Sequence, residues 1–274
     1  MNDERKRLPK MNLYNNDISD PKAKAFFEEA FKLCKNSKES DVKKFIENNR
    51  LASSPEEHVK AGFYSLAVAK FNKEIDKEES GKYFHYAGHI LKITNYINQA
   101  ARAYANAGSV LKDCQDSKNI ELAVRSFAQS KNCYFDIGNS ELSEKMYIEE
   151  QETKIKLLTS KKVSCFSLKI WKLSSIFGTS FQRWYCIVLL FILLFSFLYE
   201  YLYRYKYIII NGQSKWHNII SPVYFSIVTI STLGYGDIFP IRWEAQLVII
   251  FNIFIGYLLL GLGIGIITRK IKGH

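Results

Sequence analysis

Five residues between two long apolar segments, Thr232-Leu-Gly-Tyr-Gly236, have the types and spacing to hold a dehydrated cation. An ion stripped of water needs oxygen dipoles in its place, and rings of backbone carbonyls supply them. Alternating glycines allow consecutive carbonyls to point the same way, because glycine accepts backbone angles that other residues resist. On this reading Leu233 and Tyr235 point outward and pack on a scaffold. The Thr232 hydroxyl adds the innermost ring of oxygens. Asp237 follows the string.

Such a string needs an intramembrane setting, and the flanking segments offer one. There is no charge between Arg183 and Glu200, and none between Ala245 and Thr268. Spans are expected at about 184–207 and 245–268, long enough for the ~20 residues of a membrane helix. Tyr199, Tyr201, Tyr203, Tyr205 and Tyr207 then form an aromatic belt near Glu200. Both spans lie far from Met1, unlike a cleaved leader. Between them, Asn218 to Ser231 reads as a short re-entrant pore helix, capped by Ser221 with Pro222 in its first turn. Its C-terminal partial negative charge favours a cation.

Charge supplies an orientation. Lys161, Lys162, Lys169, Lys172 and Arg183 precede the first span, and Arg269, Lys270 and Lys272 follow the second. The connecting segment has mixed signs. The positive-inside rule puts both termini in the cytoplasm and the filter loop outside. Of the net charge of +11, the 12 basic and 3 acidic residues from Lys161 onward carry +9. That basicity reads as contact with anionic lipid. The near-balance of the preceding residues argues against a nucleic-acid partner. Residues 161–183 read as an interfacial helix or a plain linker, with Leu168, Ile170, Trp171 and Leu173 interleaved with Lys169 and Lys172.

Thr-Leu-Gly-Tyr-Gly-Asp between two spans resembles the selectivity filter of two-transmembrane, single-pore-loop potassium channels. The resemblance covers about Trp184 to Arg269. It implies ion sites at Thr232, Leu233, Gly234, Tyr235 and Gly236, an aromatic cuff at Tyr224 and Phe225, and filter support from Thr229. It implies a gating hinge at Gly256 and a second small position at Gly261. Close packing is the alternative for the glycines of Gly261-Leu-Gly-Ile-Gly265, weighed equally with bending. Leu233 stands where valine or isoleucine is commoner. Val228 stands where some members carry a glutamate that meets the outer-mouth aspartate. One filter segment per chain implies a homotetramer on a fourfold axis. K+ is the expected permeant ion, with no cofactor. No span carries the spaced arginines of a voltage sensor.

The preceding two-thirds is helical in pattern. Residues 1–20 are polar and are expected to be disordered. Residues 21–160 repeat apolar positions at three- and four-residue steps. Breaks are expected near Asn36–Ser40, Ser53–Pro55, Asp76–Gly81, Asp116–Lys118 and Gly138–Ser140. A weak internal repeat aligns Ala100-Ala-Arg-Ala-Tyr-Ala with Ala123-Val-Arg-Ser-Phe-Ala. It resembles a tetratricopeptide or soluble-attachment-protein array, with an ordinary bundle as the alternative. Arrays of this kind present a surface to a protein partner. The expected class is all-α: a cytoplasmic helical-repeat-like domain, then a pore unit at 184–274 with pore helix and filter at 218–237.

His85 and His89 are one turn apart, but no third ligand is evident for a metal. The five widely spaced cysteines read as free thiols. No catalytic constellation is assigned, and an enzyme is not expected. The chain ends soon after Lys270, so regulation is expected from the N-terminal side. Two other readings of the whole are a membrane-tethered scaffold with a vestigial pore and a nonselective cation channel. An intact Gly234-Tyr235-Gly236 argues against both.

Overall fold

The computed structural model describes residues 18, 20–36, 38–49, 54–211 and 215–272. It is nearly all-α, and the chain divides into two compact units, 1–166 and 167–274.

The first unit contains α1 (Pro21–Lys35), α2 (Glu39–Asn48), α3 (Pro55–Asn72), α4 (Lys77–Ile93), α5 (Ile97–Leu111), α6 (Ser117–Asp136) and α7 (Ser140–Ser160). Side-chain caps begin many of them. Asp20, Asp76, Asp116 and Asn139 accept from the backbone N–H of Lys22, Glu79, Lys118 and Leu142. Each satisfies a donor that the first helical turn leaves open. From α3 onward each helix packs chiefly on the next, with α1 and α2 on α3. That serial stacking is what a helical array requires.

Small residues allow the close approach. A Cβ on Gly88 of α4 would lie 2.8 Å from the Tyr104 ring of α5, and one on Gly108 of α5 would lie 2.8 Å from the Phe127 ring of α6. Buried serines tie successive helices: Ser80 donates to the Ala69 carbonyl at 2.6 Å, Ser130 to Ala101 at 2.7 Å and Ser143 to Lys131 at 3.0 Å. The core between them is alanine and aromatic, including Ala67, Ala101, Ala105, Phe63, Tyr104 and Phe127.

Two boundaries differ from expectation. The third break falls before Lys77, so Gly81 lies inside α4, where its missing Cβ makes room for Leu111. A further break at Asn95 separates α4 from α5, with Asn95 left-handed at φ 66°. The expectation of disorder over 1–20 falls outside the described residues except at Ile18 and Asp20. Ile18 is buried, and Asp20 caps α1 and accepts from the Tyr96 hydroxyl, so the ordered unit reaches back before residue 21.

The second unit opens with α8 (Phe166–Ser175), a short amphipathic helix within the expected linker. Ile176, Phe177 and Gly178 follow with positive φ and end it. Then come α9 (Phe181–Arg204), α10 (Ile220–Ile230) and α11 (Trp243–Lys272). α9 and α11 are long and apolar enough to cross a membrane. Buried positions on α11 fall at Ala245, Asn252, Gly256, Leu259, Gly263 and Ile266. Steps of seven, four and three residues make one stripe facing the rest of the unit. The opposite side exposes Leu247, Ile250, Phe254, Tyr257 and Leu258.

The all-α expectation omitted a two-stranded ladder. β1 (Ile208–Ile210) pairs antiparallel with β2 (Ile238–Pro240), with Ile208 opposite Pro240 and Ile210 opposite Ile238. The Asn211 N–H also donates to the Asp237 carbonyl at 2.7 Å. The ladder fastens the chain leaving α9 to the chain leaving the Gly-Tyr-Gly string.

Candidate functional site

The string 232–236 hangs from the C-terminal end of α10, and the backbone explains how. The Thr232 N–H donates to the Thr229 carbonyl at 3.1 Å and the Leu233 N–H to the Val228 carbonyl at 3.0 Å. With Thr232 at φ 60°, this is a Schellman termination of the helix. Glycine usually takes that left-handed position, and a β-branched residue there is strained. Beyond it the hand alternates. Gly234 and Gly236 have φ of 52° and 73°, while Leu233 and Tyr235 are not left-handed. Alternation of hand turns successive carbonyls toward one side. A Cβ at Gly234 or Gly236 would meet nothing within 4 Å, so conformation rather than space makes them glycine.

Residues 232–236 are exposed in the single chain, and Asp237 is half-buried. The Tyr235 ring stacks parallel to Tyr224 of α10, centroids 6.5 Å apart with 4° between planes. The Tyr224 hydroxyl pairs with the Asp237 carboxylate. Val228 is buried and apolar, so the tyrosine supplies the partner to Asp237. Phe225 packs on Tyr199 of α9 at 4.6 Å. The Thr229 hydroxyl donates to the Phe225 carbonyl at 2.7 Å and pairs with Tyr199, on the side of α10 toward the first long helix.

The start of α10 corrects the expected cap. Ile219 already has helical angles, so Ser221 lies inside the first turn and Ile219 makes no side-chain cap. The Ser221 hydroxyl accepts from the His217 N–H at 2.9 Å, securing the approach to the helix. Trp216 secures it further, donating to Glu200 at 2.7 Å and stacking on Tyr203 at 4.1 Å. Glu200 also accepts from Arg204 at 2.8 Å.

The aromatic belt is also corrected. Alternate residues on a helix do not share a face. Tyr201 and Tyr205 are exposed and stack on each other, whereas Tyr199 is fully buried. Its hydroxyl accepts from Nδ2 of Asn252 at 2.7 Å. Asn252 escaped the sequence reading, although a lone carboxamide in an apolar span is a usable signal.

Gly256 lies one turn beyond Asn252, in unbroken helix. A Cβ there would stand 2.4 Å from the Ile230 carbonyl oxygen, so this glycine admits the end of α10. Gly261 and Gly265 have no atom within 4 Å of such a Cβ, while Gly263 seats the Trp184 indole. Elsewhere, His85 Nδ1 is bonded to the Ser126 hydroxyl at 2.8 Å, and His89 is exposed. No group of three or more metal-ligating side chains occurs among the described residues.

Residues 187–272 match the family model described as an ion channel. No curated protein and no solved structure matches the chain. The chain therefore carries an ion-channel domain with two helices fit to cross a membrane, and this domain contains the 232–236 string.

Proposed function

We propose that this protein is a subunit of a potassium-selective channel, conducting through a homotetrameric pore lined at its narrowest by Thr232 to Gly236. One observation carries the reading: left-handed backbone at Thr232, Gly234 and Gly236 alternates with Leu233 and Tyr235 in a Thr-Leu-Gly-Tyr-Gly string. That alternation suits stacked rings of carbonyls in place of a potassium ion's water. One chain contributes a single such strand, so a cage needs several copies on a closed symmetry axis. The exposed apolar sides of α9 and α11 suit cover by lipid and neighbouring copies.

Lysines and arginines before α9 and after Thr268 favour cytoplasmic termini, with Asp237 at the outer mouth. The serially stacked N-terminal unit then lies in the cytoplasm. It regulates or localises the pore and offers a surface to a protein partner. Gly256 and Gly261 remain the places where the second span would bend.

Purified protein in liposomes tests selectivity directly. Potassium should pass far faster than sodium, and barium should block. Equal fluxes overturn the reading. Gly234→Ala and Gly236→Ala should each abolish selective flux, since a Cβ at positive φ costs about 1–2 kcal/mol per residue. Mass measurement in mild detergent should find four copies.

A further inference from the structure

Asn252 is wholly buried among apolar neighbours in the middle of α11, and its side chain does one directional thing: Nδ2 donates to the Tyr199 hydroxyl at 2.7 Å. Its Oδ1 is buried with no partner. For packing alone, a leucine would fill the position without an orphaned acceptor. The donated bond leads to the filter. Tyr199 pairs with the Thr229 hydroxyl, whose own proton is committed to the Phe225 carbonyl at 2.7 Å. Asn252, Tyr199 and Thr229 thus form one buried polar group shared by α11, α9 and α10. Bonds in such a group polarise and strengthen one another where water is absent.

This group ends where the filter starts. The Thr229 carbonyl accepts the Thr232 N–H, the bond that turns the pore helix into the filter. One turn along the same face of α11, Gly256 rests against the Ile230 carbonyl. A shift of α11 at 252–256 thus acts on residues 229–230, next to the first carbonyl ring.

We infer that Asn252 and Tyr199 are positioning residues for conduction: acting through Thr229, they hold the filter in its conducting shape and couple that shape to the position of the second span. Neither touches the ion. The inference rests on the reading of 232–236 as a potassium filter.

Single-channel recording of the full-length protein in planar bilayers tests it. Tyr199→Phe, which removes one oxygen, and Asn252→Leu should each shorten conducting bursts roughly tenfold, the effect of one lost hydrogen bond. Unitary current should be unchanged. The double variant should be no worse than either single one, because the two groups act as one unit. Thr229→Ser keeps the hydroxyl and should behave as wild type, whereas Thr229→Val should match Tyr199→Phe. Losses in open time without this pattern of rescue would indicate packing alone and overturn the inference. Unchanged bursts in Tyr199→Phe would overturn it too, and this variant decides the matter if Asn252→Leu does not assemble. A wild-type channel passing sodium and potassium alike instead defeats the selectivity reading, so the two failures are distinguishable.

Discussion

The indole N–H of Trp184, in the first turn of α9, donates to the backbone carbonyl of Leu259 in the middle of α11 at 2.8 Å. Gly263, one turn beyond Leu259, leaves the space: a Cβ there would lie 2.6 Å from the indole ring. The same carbonyl also closes the helical turn to Gly263, so the tryptophan uses its second lone pair. Trp184→Phe keeps a ring beside Phe181 but deletes the donor. It should destabilise the α9–α11 contact by about 1 kcal/mol per subunit, read as a lower unfolding temperature in detergent. With the second span less tied to the first, open probability should rise. Gly263→Ala should do the same by expelling the indole, and the double variant should be non-additive. Independent, additive effects would mean that seat and bond are not one device.

Gly256 and Gly261 respond differently to the same substitution. At Gly256 an added methyl meets a backbone carbonyl 2.4 Å away, and a backbone atom at a helix end does not step aside as a flexible side chain does. Gly256→Ala should therefore disturb the filter itself, with loss of selective current or of assembly. At Gly261 the methyl meets nothing in its own chain. There the effect should be helix stiffening alone, about 1 kcal/mol toward a straighter, closed helix. Single-channel records of the two variants separate these outcomes. Selective current with altered open probability in Gly256→Ala would restore it to the role of a simple hinge.

Much of this was legible because some signals are local. Charge-free runs mark α9 and α11, and Asp-Pro and Ser-Pro mark the starts of α1 and α3. Thr-Leu-Gly-Tyr-Gly carries its alternation in its glycines. What escaped depends on partners far along the chain. Ile208–Ile210, just past the expected end of the first span, shows no sign of a strand until Ile238–Pro240 pairs with it. Tyr199 reads as belt aromatic until Asn252, 53 residues on, donates to it. Asn95 ends α4 without glycine or proline, since asparagine tolerates the left-handed region. Left-handed Thr232 escaped too, because a β-branched residue is an unexpected helix terminator and is held there by its surroundings.

The first unit should weaken in mild acid. Burial, followed by His89 and Arg125, holds His85 below the usual histidine range, and its Nδ1 faces the Ser126 hydroxyl. The folded state therefore keeps His85 neutral where the unfolded chain already takes up a proton. The stability this contributes is present above pH about 6.5 and is lost as pH falls toward the lowered folded value. Urea unfolding of a fragment spanning residues 18–160 should give a lower midpoint at pH 5.5 than at pH 7.5. The associated uptake is roughly one proton. His85→Gln should flatten this part of the profile. An unchanged slope would place the acid sensitivity on other groups.

The last prediction concerns the division of labour between the two units. α7 ends at Ser160, and the elements that hold the 232–236 string are α9, α10, α11 and the β1–β2 ladder, all beyond residue 180. The first unit has its own capped helices and a core that runs from Ile18 to Met146. Residues 18–160 should accordingly fold alone with a helical spectrum and a cooperative transition. A protein beginning at Lys161 should still assemble and still prefer potassium, because it keeps the described residues of α9, α10, α11 and the ladder that hold 232–236. What should change is open probability or capture of a protein partner. The decisive comparison records both forms in the same lipid. Loss of potassium preference in an assembled, shortened protein would show that the first unit shapes the filter, against the separation argued from these supports.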